Sequence, residues 1–483
     1  MTTQVNAMGR TDSYALRTST PHSTPTKLRP GAYNLQSRLP GGQSLLVNCI
    51  TRAIDLVPTS LAEYLTEVGE IPEDFVDPPQ ALLDYLALRG YVTNLSPEEE
   101  RTAVRDLATR IDAARAQERA TPTFTFVLTY GCNLACTYCF QSGIEGRARP
   151  SIMSPDLVVR YFRYIDTFPH NQSKQNIELF GGEPLMKSTR KTVETIVKLG
   201  VDRGYTFTAT TNGVQLDHFR DLLSPTKIAR LLVTLDGPRE IHDARRINTS
   251  GHGTFARIVS NIKAATDEGV MVSIRTNVDR DNLAHLPAFI DSLDEVGLLG
   301  RRNVTVFAAP VKPSLGSLAT SELLSHSELI EFLSRDRRLL ALRDEKNQGS
   351  VNSWDFSWGE QSRYCGAVSS SLLLDPEGLV FTCNEVVGQP EHAVGQFRDD
   401  TVEFFADKYS RWRKRSVVAL EQCLGCQVAL VCAGGCAIRG WHEGSAGAVD
   451  CGGFKEAFLS SLRRQFLTQN PQQEEPDGPP TSL

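Results

Sequence analysis

Short apolar segments alternate with amphipathic helical patterns from about residue 121 to residue 320. Six of these segments have the length and composition of β-strands: "TFTFVLT", "QNIELF", "YTFTAT", "IARLLVTL", "VMVSIRTNV" and "NVTVFAAP". Between them, one helix is predicted to begin at Ser154 with Pro155 in its first turn, and "GTFARIVSNIKAATDEG" places apolar residues on one helical face. Six βα units in series predict a parallel sheet, curved into a partial barrel or left open, with its chemistry at the C-terminal ends of the strands.

Residues 31–120 follow a different pattern, which predicts a small α+β module. Two strands flank a turn at Pro40, and a capping box of Ser60 and Glu63 is predicted to open a short helix. A second helix is predicted over residues 79–89, followed by a short strand in "YVTNL" and a long charged helix from Ser96 to about residue 118. Such a unit suits a small binding module, and a packing extension of the main domain fits it equally well.

The remaining stretches are set apart by their composition. Residues 1–30 are rich in Thr, Ser and Pro and are predicted to be disordered. Residues 321–360 are predicted to be a connecting segment, and residues 361–455 to be a loop-rich domain with little periodicity. Residues 456–483 are predicted to hold a helix followed by a disordered tail.

Length and charge narrow the class of protein. A chain of 483 residues is expected to form two to four domains. The net charge of −6 disfavours a nucleic-acid binder, because such proteins cluster Lys and Arg against phosphate. The chain has no run of about 18 apolar residues and no apolar segment near its start, so we expect a cytoplasmic protein without a membrane span.

Eleven cysteines change this picture, because ten of them fall into two groups. In a reducing cytoplasm, clustered cysteines more often hold metal than form disulfides. The first group is Cys132, Cys136 and Cys139 in "YGCNLACTYCFQ", directly after the first predicted strand. Three thiolates on a four-iron cluster leave one iron open to bind a reactant. The isolated Cys49, in an apolar run, is interpreted as a small buried side chain.

The spacing Cys132-x3-Cys136-x2-Cys139 resembles the signature of the radical S-adenosylmethionine (radical SAM) superfamily. A second signature, "LFGGEPL", resembles that family's contact to the SAM amino group, and "TTNG" and "VTLDGPREIHDARR" follow the next two strands. The resemblance implies that an open iron chelates SAM and that SAM is cleaved to a 5′-deoxyadenosyl radical. It makes the following residues candidate SAM contacts: Phe140, Gly181, Gly182, Glu183, Pro184, Thr211, Asn212, Thr234, Arg246, Arg275 and Asn277.

Structural interpretations compete for four residues near these motifs. For Glu183 a SAM contact is strongly preferred to a solvated loop carboxylate, whereas Arg246 fits a surface cation equally well. His242 and Asp243 are more simply interpreted as parts of a local hydrogen-bonded turn than as a proton shuttle.

The second cysteine group resembles the SPASM domain that is appended to radical SAM enzymes acting on peptides and proteins. It consists of Cys365, Cys383, Cys423, Cys426, Cys432, Cys436 and Cys451. The resemblance implies two auxiliary 4Fe–4S clusters, hence three 4Fe–4S clusters in all. It assigns one cluster to Cys423, Cys426, Cys432 and Cys451, and the other to Cys365, Cys383 and Cys436, which leaves the latter one ligand short. Zinc sites are the alternative.

The resemblance therefore implies an α/β fold: a partial (β/α)6 TIM-like barrel, with a small N-terminal α+β module and a loop-rich C-terminal iron–sulfur domain. The implied function is oxidative modification of a ribosomally made precursor peptide, by crosslinking in preference to other changes, with a flavodoxin or ferredoxin as reductant. An N-terminal module of the winged-helix type would bind a leader peptide by strand addition. The alternatives are a formylglycine-forming sulfatase maturase, which Asn384 disfavours because that family carries Asp there, and a non-catalytic iron–sulfur scaffold. A tRNA-modifying enzyme is disfavoured by the acidic charge.

Overall fold

The chain folds into two compact units. The computed structural model describes residues 28–66, 78–141, 151–169, 175–248, 250–311, 323–336, 338–339, 342–344, 360–442 and 449–470. The first unit comprises Met1–Arg115, Lys346–Tyr364 and Arg415–Leu483. The second unit comprises Ala116–Glu345 and Cys365–Lys414.

The regular elements, in chain order, are as follows. The strands are β1 (Arg29–Pro30), β2 (Asn34–Arg38), β3 (Gln43–Asn48), β4 (Ala53–Pro58), β5 (Val92–Thr93), β6 (Thr123–Val127), β7 (Asn176–Phe180), β8 (Thr206–Thr211), β9 (Ile228–Thr234), β10 (Met271–Val278), β11 (Val304–Pro310), β12 (Leu342–Asp344), β13 (Ser371–Leu374), β14 (Leu379–Phe381), β15 (Gly395–Arg398) and β16 (Thr401–Phe404). The helices are α1 (Thr59–Thr66), α2 (Gln80–Leu88), α3 (Pro97–Ala114), α4 (Ala116–Ala120), α5 (Pro155–Ile165), α6 (Arg190–Val201), α7 (Arg239–Arg245), α8 (Phe255–Asp267), α9 (Arg280–Leu283), α10 (Leu286–Glu295), α11 (His326–Ser334), α12 (Gly366–Ser369), α13 (Ala406–Lys414), α14 (Glu421–Leu424), α15 (Ala429–Cys432), α16 (Ala437–His442) and α17 (Phe454–Gln469).

The second unit is built on one large, mostly parallel sheet. Strands β6 to β11 run parallel and lie side by side in chain order, and β12 continues the sheet beyond β11. At the other edge β13 pairs in parallel with β6, and β14, β15 and β16 follow as antiparallel neighbours. The unit is therefore a partial TIM-like core extended by a C-terminal antiparallel part.

The two faces of these parallel strands differ in polarity. Successive side chains of a strand point to opposite faces. Phe126 of β6 packs against Tyr161 and Phe162 of α5, with ring centroids 6.0 and 5.4 Å away. The neighbouring Thr125 therefore points to the inner face, where its hydroxyl meets Glu178 of β7. The helices thus cover apolar side chains. The inner face is polar at Thr125 and Glu178 and apolar one step further along, where Val127 and Phe180 join one apolar cluster.

The first unit combines an N-terminal and a C-terminal part of the described residues around a three-stranded antiparallel sheet. Strands β2, β3 and β4 pair in that order. One apolar core combines sheet residues such as Leu46 with Leu61 of α1 and Leu86 of α2. A second core combines other sheet residues such as Leu45 with α15 and α17. The N-terminal strands therefore share a core with a segment almost 400 residues later in sequence, as in the hydrogen bond from Gln427 to the Asn34 carbonyl (2.6 Å, separation of 393 residues).

Most element predictions are confirmed. All six apolar segments are strands, the α5 and α8 helices occur where predicted, and the Ser96–Glu99 capping box opens α3. The capping box predicted at Ser60 is wrong, because α1 begins at Thr59 and Ser60 lies inside its first turn. Arg29 and Pro30, included in the predicted disordered start, form β1 with β5, and the rest of that stretch up to residue 27 lies outside the described residues. No helix in the described ranges has the length and hydropathy needed to cross a membrane.

The two units divide the chain differently from the predicted domains. The predicted domain at 361–455 is split, with residues 365–414 in the second unit and residues 415–455 in the first. The predicted module at 31–120 belongs almost entirely to the first unit, together with the C-terminal helices. The predicted disordered tail after residue 470 lies outside the described residues.

Candidate active site

Two loops at the C-terminal ends of β6 and β7 are hydrogen-bonded to each other. The Gly182 amide donates to the Thr129 carbonyl at 2.8 Å, and the Glu183 amide donates to the Gly131 carbonyl at 2.9 Å. A Cβ on Gly182 would lie 2.3 Å from the Gly131 oxygen, and Gly181 has a φ of +144°. Only glycine allows this approach. The sequence therefore holds the GGEP loop directly against the loop that carries Cys132, Cys136 and Cys139.

Glu183 is buried in this arrangement, with an exposed fraction of 1%. Its carboxylate accepts hydrogen bonds from the Thr211 hydroxyl (2.6 Å) and from the backbone amides of Asn212 (2.5 Å) and Leu185 (2.9 Å). Burial raises the pKa of Glu183, while these donors and the charge of Arg246 oppose the shift. The solvated-loop interpretation of Glu183 is therefore wrong: the side chain is a fixed acceptor that joins the ends of β7 and β8.

Asn212 links the same two motifs from the end of β8. Its side-chain amide donates to the Asn133 carbonyl oxygen at 2.8 Å and lies 3.8 Å from the Cys132 sulfur. The "TTNG" motif thus contacts the cysteine loop, as well as holding Glu183 through Thr211.

Tyr138, between Cys136 and Cys139, joins the cysteine loop to the ends of β9 and β10. Its hydroxyl donates to the Asp236 carboxylate and accepts a hydrogen bond from Arg246 at 2.6 Å. The Asn277 amide group also lies 3.2 Å from this hydroxyl. Burial raises the pKa of Tyr138, with Asp236 and Cys136 adding to the shift and Arg246 opposing it. Tyr138 and Asp236 were missed in the sequence, although an aromatic residue inside the cysteine motif was a visible signal.

Arg246 is not a surface cation, since its exposed fraction is 8%. Burial lowers its pKa, but the electrostatic influence of Tyr138, Cys136 and Asp236 and the hydrogen bond to Tyr138 raise it overall. Its Nε atom is buried and has no hydrogen-bond partner in the described parts of the chain. A buried guanidinium therefore lies close enough to Cys136 for the two groups to interact electrostatically.

The neighbouring charged residues are structural. Arg245 forms a two-bonded ion pair with Asp279, at 2.9 and 2.7 Å. The buried His242 ring contacts the Asp236 amide and the Thr254 hydroxyl, while Asp243 accepts from two amides at the start of α8. Burial lowers the pKa of His242, with Arg246 and Arg245 adding to the effect. These contacts agree with the local-turn interpretation of His242 and Asp243.

Three other candidate residues make contacts next to this site. Arg275 donates to the Asn277 side chain at 2.8 Å and pairs in register with Thr234 of the adjacent strand. Phe140 packs against an apolar cluster that includes Phe180 and Tyr130. The Pro184 carbonyl accepts a hydrogen bond from Thr189 and so fixes the end of the GGEP loop.

The donor set fits an iron–sulfur cluster with SAM. The three cysteines are partly exposed, lie on one loop of the second unit, and offer the soft thiolate ligands that iron–sulfur clusters require. Arg246 places a cation beside Cys136, which suits an anionic cluster and the carboxylate of SAM. The second-unit residues named above would hold these groups.

The later cysteines divide between the two units. Cys423, Cys426, Cys432, Cys436 and Cys451 belong to the first unit, whereas Cys365 and Cys383 belong to the second. Burial raises the pKa of Cys423 to about 12, and the thiols of Cys432, Cys426 and Cys451 add to the shift, so these four side chains are neighbours. Within the described residues, no three His, Cys, Asp or Glu side chains are arranged to hold a single metal ion.

Residues 126–293 match the family model of the radical SAM superfamily. These residues form a radical SAM domain. One relative is the serine-type anaerobic sulfatase-maturating enzyme of Klebsiella aerogenes, which is 24% identical over 350 residues that cover 68% of this chain and 82% of that enzyme. The radical SAM cyclopropyl synthase TigE of Paramaledivibacter caminithermalis is 19% identical over 336 residues, covering 64% of this chain and 66% of that enzyme.

A similar fold occurs in solved structures. The structure described as native anSMEcpe with bound AdoMet superposes with a TM-score of 0.56 at 18% identity, over 72% of this chain and 99% of that one. A second structure of anSMEcpe, with AdoMet and the Cp18Cys peptide, gives a TM-score of 0.54 at 18% identity, over 72% and 99% of the two chains. The radical SAM domain and its C-terminal extension in the second unit therefore follow a known architecture.

Proposed function

We propose that this chain is a radical SAM/SPASM maturase of the cytoplasm that oxidatively crosslinks residues of a ribosomally made precursor peptide. The observation that carries this proposal is the hydrogen-bonded pair of loops that sets Cys132, Cys136 and Cys139 against Glu183 at the C-terminal strand ends. The sulfatase-maturating relative and the peptide bound to anSMEcpe support a peptide as the substrate class.

The chain's own residues would bind and orient SAM and shield the reacting carbon from water. When bound, the cluster and SAM supply a carbon radical that removes a hydrogen atom from a substrate C–H bond. Glu183, with its three donors, presents a fixed carboxylate for the SAM ammonium, and Arg246 presents a cation for the SAM carboxylate. The apolar cluster around Phe140 and Phe180 would exclude water from the reacting carbon.

The later cysteines would hold two auxiliary 4Fe–4S clusters that accept the electron released when the new bond forms. Cys423, Cys426, Cys432 and Cys451 suit one cluster, because their thiols are electrostatic neighbours in the first unit. Cys365, Cys383 and Cys436 are proposed for the other on the spacing alone. A flavodoxin or ferredoxin is the proposed reductant.

The sheet of the first unit is proposed to hold the leader part of the peptide. Strand β2 is an edge strand, and a cavity of about 360 Å³ lies beside it. Asn34, Gln36, Arg38 and Lys455 are among the residues that line this cavity. Because an edge strand offers unpaired backbone groups, an extended peptide can add to it as a further strand.

Formylglycine formation is the second candidate function. It is favoured by the relative in Klebsiella aerogenes, of which the chain covers 82%. It is disfavoured by Asn384, because the sulfatase-maturing family typically carries Asp at this position as its proposed base.

One experiment separates these possibilities. Anaerobically reconstituted protein is given SAM, dithionite and a panel of synthetic peptides that carry Ser, Cys, Tyr or Lys in a Gly–Ala background, together with the product of any short reading frame beside the gene. Crosslinking predicts loss of two hydrogen atoms and a peptide that resists fragmentation between the linked residues. Formylglycine predicts an aldehyde that reacts with a hydrazide. If neither wild type nor Cys136→Ala cleaves SAM, the remaining interpretation is a non-catalytic iron–sulfur scaffold.

A further inference from the structure

The inner face of the partial barrel carries one carboxylate that none of the family motifs includes. Glu178 of β7 pairs in register with Thr125 of β6 on one side and with Thr208 of β8 on the other. The three side chains therefore point to the same face of the sheet. At the inward positions of β6 to β10 the polar side chains are mostly hydroxyls and amides, and Glu178 is the single carboxylate among them. A lone acid in a polar interior is a functional candidate rather than a packing residue.

Glu178 is held in place without a cation. Its two carboxylate oxygens accept hydrogen bonds from the hydroxyls of Thr210 (2.9 Å) and Thr125 (3.3 Å). No charged group contributes to the shift of its pKa, which burial raises and the two hydroxyls partly oppose. The charged residues at inward positions of β9 and β10 are Arg230 and Arg275. The residue as a whole is partly exposed, although its carboxyl group is buried enough for burial to be the largest influence on its pKa.

Glu178 also lies directly below the proposed reaction centre. It stands five residues before Glu183 on the same strand and loop, and three residues before Gly181. At about 3.3 Å per residue, the carboxylate level is roughly 10 Å along the strand from the GGEP loop. Of the two residues between Glu178 and Gly181, Phe180 shares the inward face and belongs to the apolar cluster against which Phe140 packs.

We infer that Glu178 is the proton acceptor for the peptide residue that this enzyme oxidises. The inference rests on the proposed function and deepens it. Crosslinking and formylglycine formation both remove two hydrogens from the peptide as a net two-electron oxidation. One leaves as a hydrogen atom to the SAM-derived carbon radical, and the other leaves as a proton while its electron goes to an iron–sulfur cluster. The electron has a named acceptor in both reactions, but the proton needs a base, and Asn384 cannot supply one.

The first test reads the carboxyl group itself. Infrared difference spectra of anaerobically reconstituted wild type and Glu178→Gln are recorded across a pH titration without peptide. We expect wild type to show a protonated-carboxyl band that persists above the ordinary titration range of glutamate and is lost in Glu178→Gln. The absence of any such difference would overturn the inference, because the carboxyl would then not exchange a proton near neutral pH.

The second test uses the panel peptide that wild type modifies, with deuterium on the reacting carbon. A missing base leaves hydrogen abstraction intact, so Glu178→Gln should still transfer deuterium to 5′-deoxyadenosine while peptide product falls about 100-fold or more. The acid limb of the wild-type pH profile should vanish in this variant. Equal loss of deuterium transfer and product would show a merely structural role and overturn the inference.

Controls separate this inference from the proposed function. Glu194→Gln, at an exposed site on α6 paired with Arg190, should match wild type in every readout. Peptide affinity, measured by fluorescence anisotropy, should also be unchanged in Glu178→Gln. If wild type modifies the peptide and Glu178→Gln does so at the same rate, the inference alone fails. If wild type cleaves SAM but modifies no member of the panel, the proposed function fails and takes this inference with it.

Discussion

Replacing Gly182 by alanine should separate the two loops that form the candidate active site. The added Cβ would meet two backbone carbonyl oxygens, at 2.3 Å from Gly131 and 2.5 Å from Tyr130. Ordinary contacts for such an atom begin near 3.4 Å, so the loops must move apart by about 1 Å. Neither obstacle is a flexible side chain that could turn away.

The cost can be worked from these contacts. The movement lengthens the Gly182–Thr129 and Glu183–Gly131 hydrogen bonds beyond useful range, and each contributes about 1 kcal/mol. Crowding that remains after relaxation costs about 1–3 kcal/mol. We therefore expect the Gly182→Ala variant to lose about 3–5 kcal/mol of unfolding free energy in the second unit, a large share of the stability of an ordinary domain.

Gly297→Ala is the matched control. Gly297 follows α10 with a φ of +66°, and an added Cβ would meet no atom within 4 Å. The variant therefore carries backbone strain of about 1 kcal/mol without crowding. Urea unfolding of the apoprotein, followed by circular dichroism, should place Gly182→Ala well below Gly297→Ala.

The same variants should differ in cofactor binding. Gly182→Ala should hold less iron on reconstitution and release little 5′-deoxyadenosine, because the cysteine loop has moved from Glu183, whereas Gly297→Ala should match wild type. Equal midpoints and equal iron content for the two variants would refute the argument that close backbone approach is the reason for glycine at position 182.

Three further predictions concern buried polar groups. Tyr138→Phe should weaken SAM binding, measured by equilibrium dialysis, and cost about 1–3 kcal/mol in urea unfolding, because Arg246 loses its hydroxyl partner. Asp55→Asn should destabilise the first unit by about 3 kcal/mol, because this buried carboxylate accepts from Arg89 and two tyrosine hydroxyls; unchanged thermal unfolding would contradict it. Burial raises the pKa of Asp375 from near 3.8 to about 6, so the folded chain keeps a proton that the unfolded chain releases in that window. Stability should fall by up to about 3 kcal/mol as pH rises from 4 to 6, and Asp375→Asn should remove that slope.

The periodic part of the fold could be predicted because each strand carries its own signal. The six βα strands and helices α5 and α8 depend on local alternation and capping, which the sequence shows directly. Strand β13 was not predicted, since "SSSLLLD" has no alternation and forms a strand only by pairing with β6, 248 residues earlier. The shared core of the N-terminal sheet and α17 was missed for the same reason: no local pattern records a contact between distant segments.

In the candidate site, too, the features that are local in sequence could be predicted and those formed by distant residues could not. The cysteine spacing and the GGEP loop could be found because their residues are close in sequence. The hydrogen bonds that join Tyr138 to Asp236 and Arg246 connect residues about 100 positions apart, and only the strand order brings them together. The burial of Glu183 likewise depends on the next strand, which supplies Thr211 and Asn212.

The alternation of apolar and polar residues within the strands also indicates which face of the sheet each side chain occupies. In "TFTFV", "NIELF" and "TFTATT" the apolar residues alternate with Thr, Asn or Glu, which is typical of a strand with one apolar and one polar face. In a βα series the helices must cover the apolar face, so the polar residues are forced inward, opposite to the packed interior of a closed barrel. The alternation ends at Val127 and Phe180, which are apolar, point inward and join one cluster at the C-terminal ends of these strands. The inward position of Glu178 was therefore predictable from period-two alternation once the helices were known to lie outside, and its proposed role as a proton acceptor depends on that position.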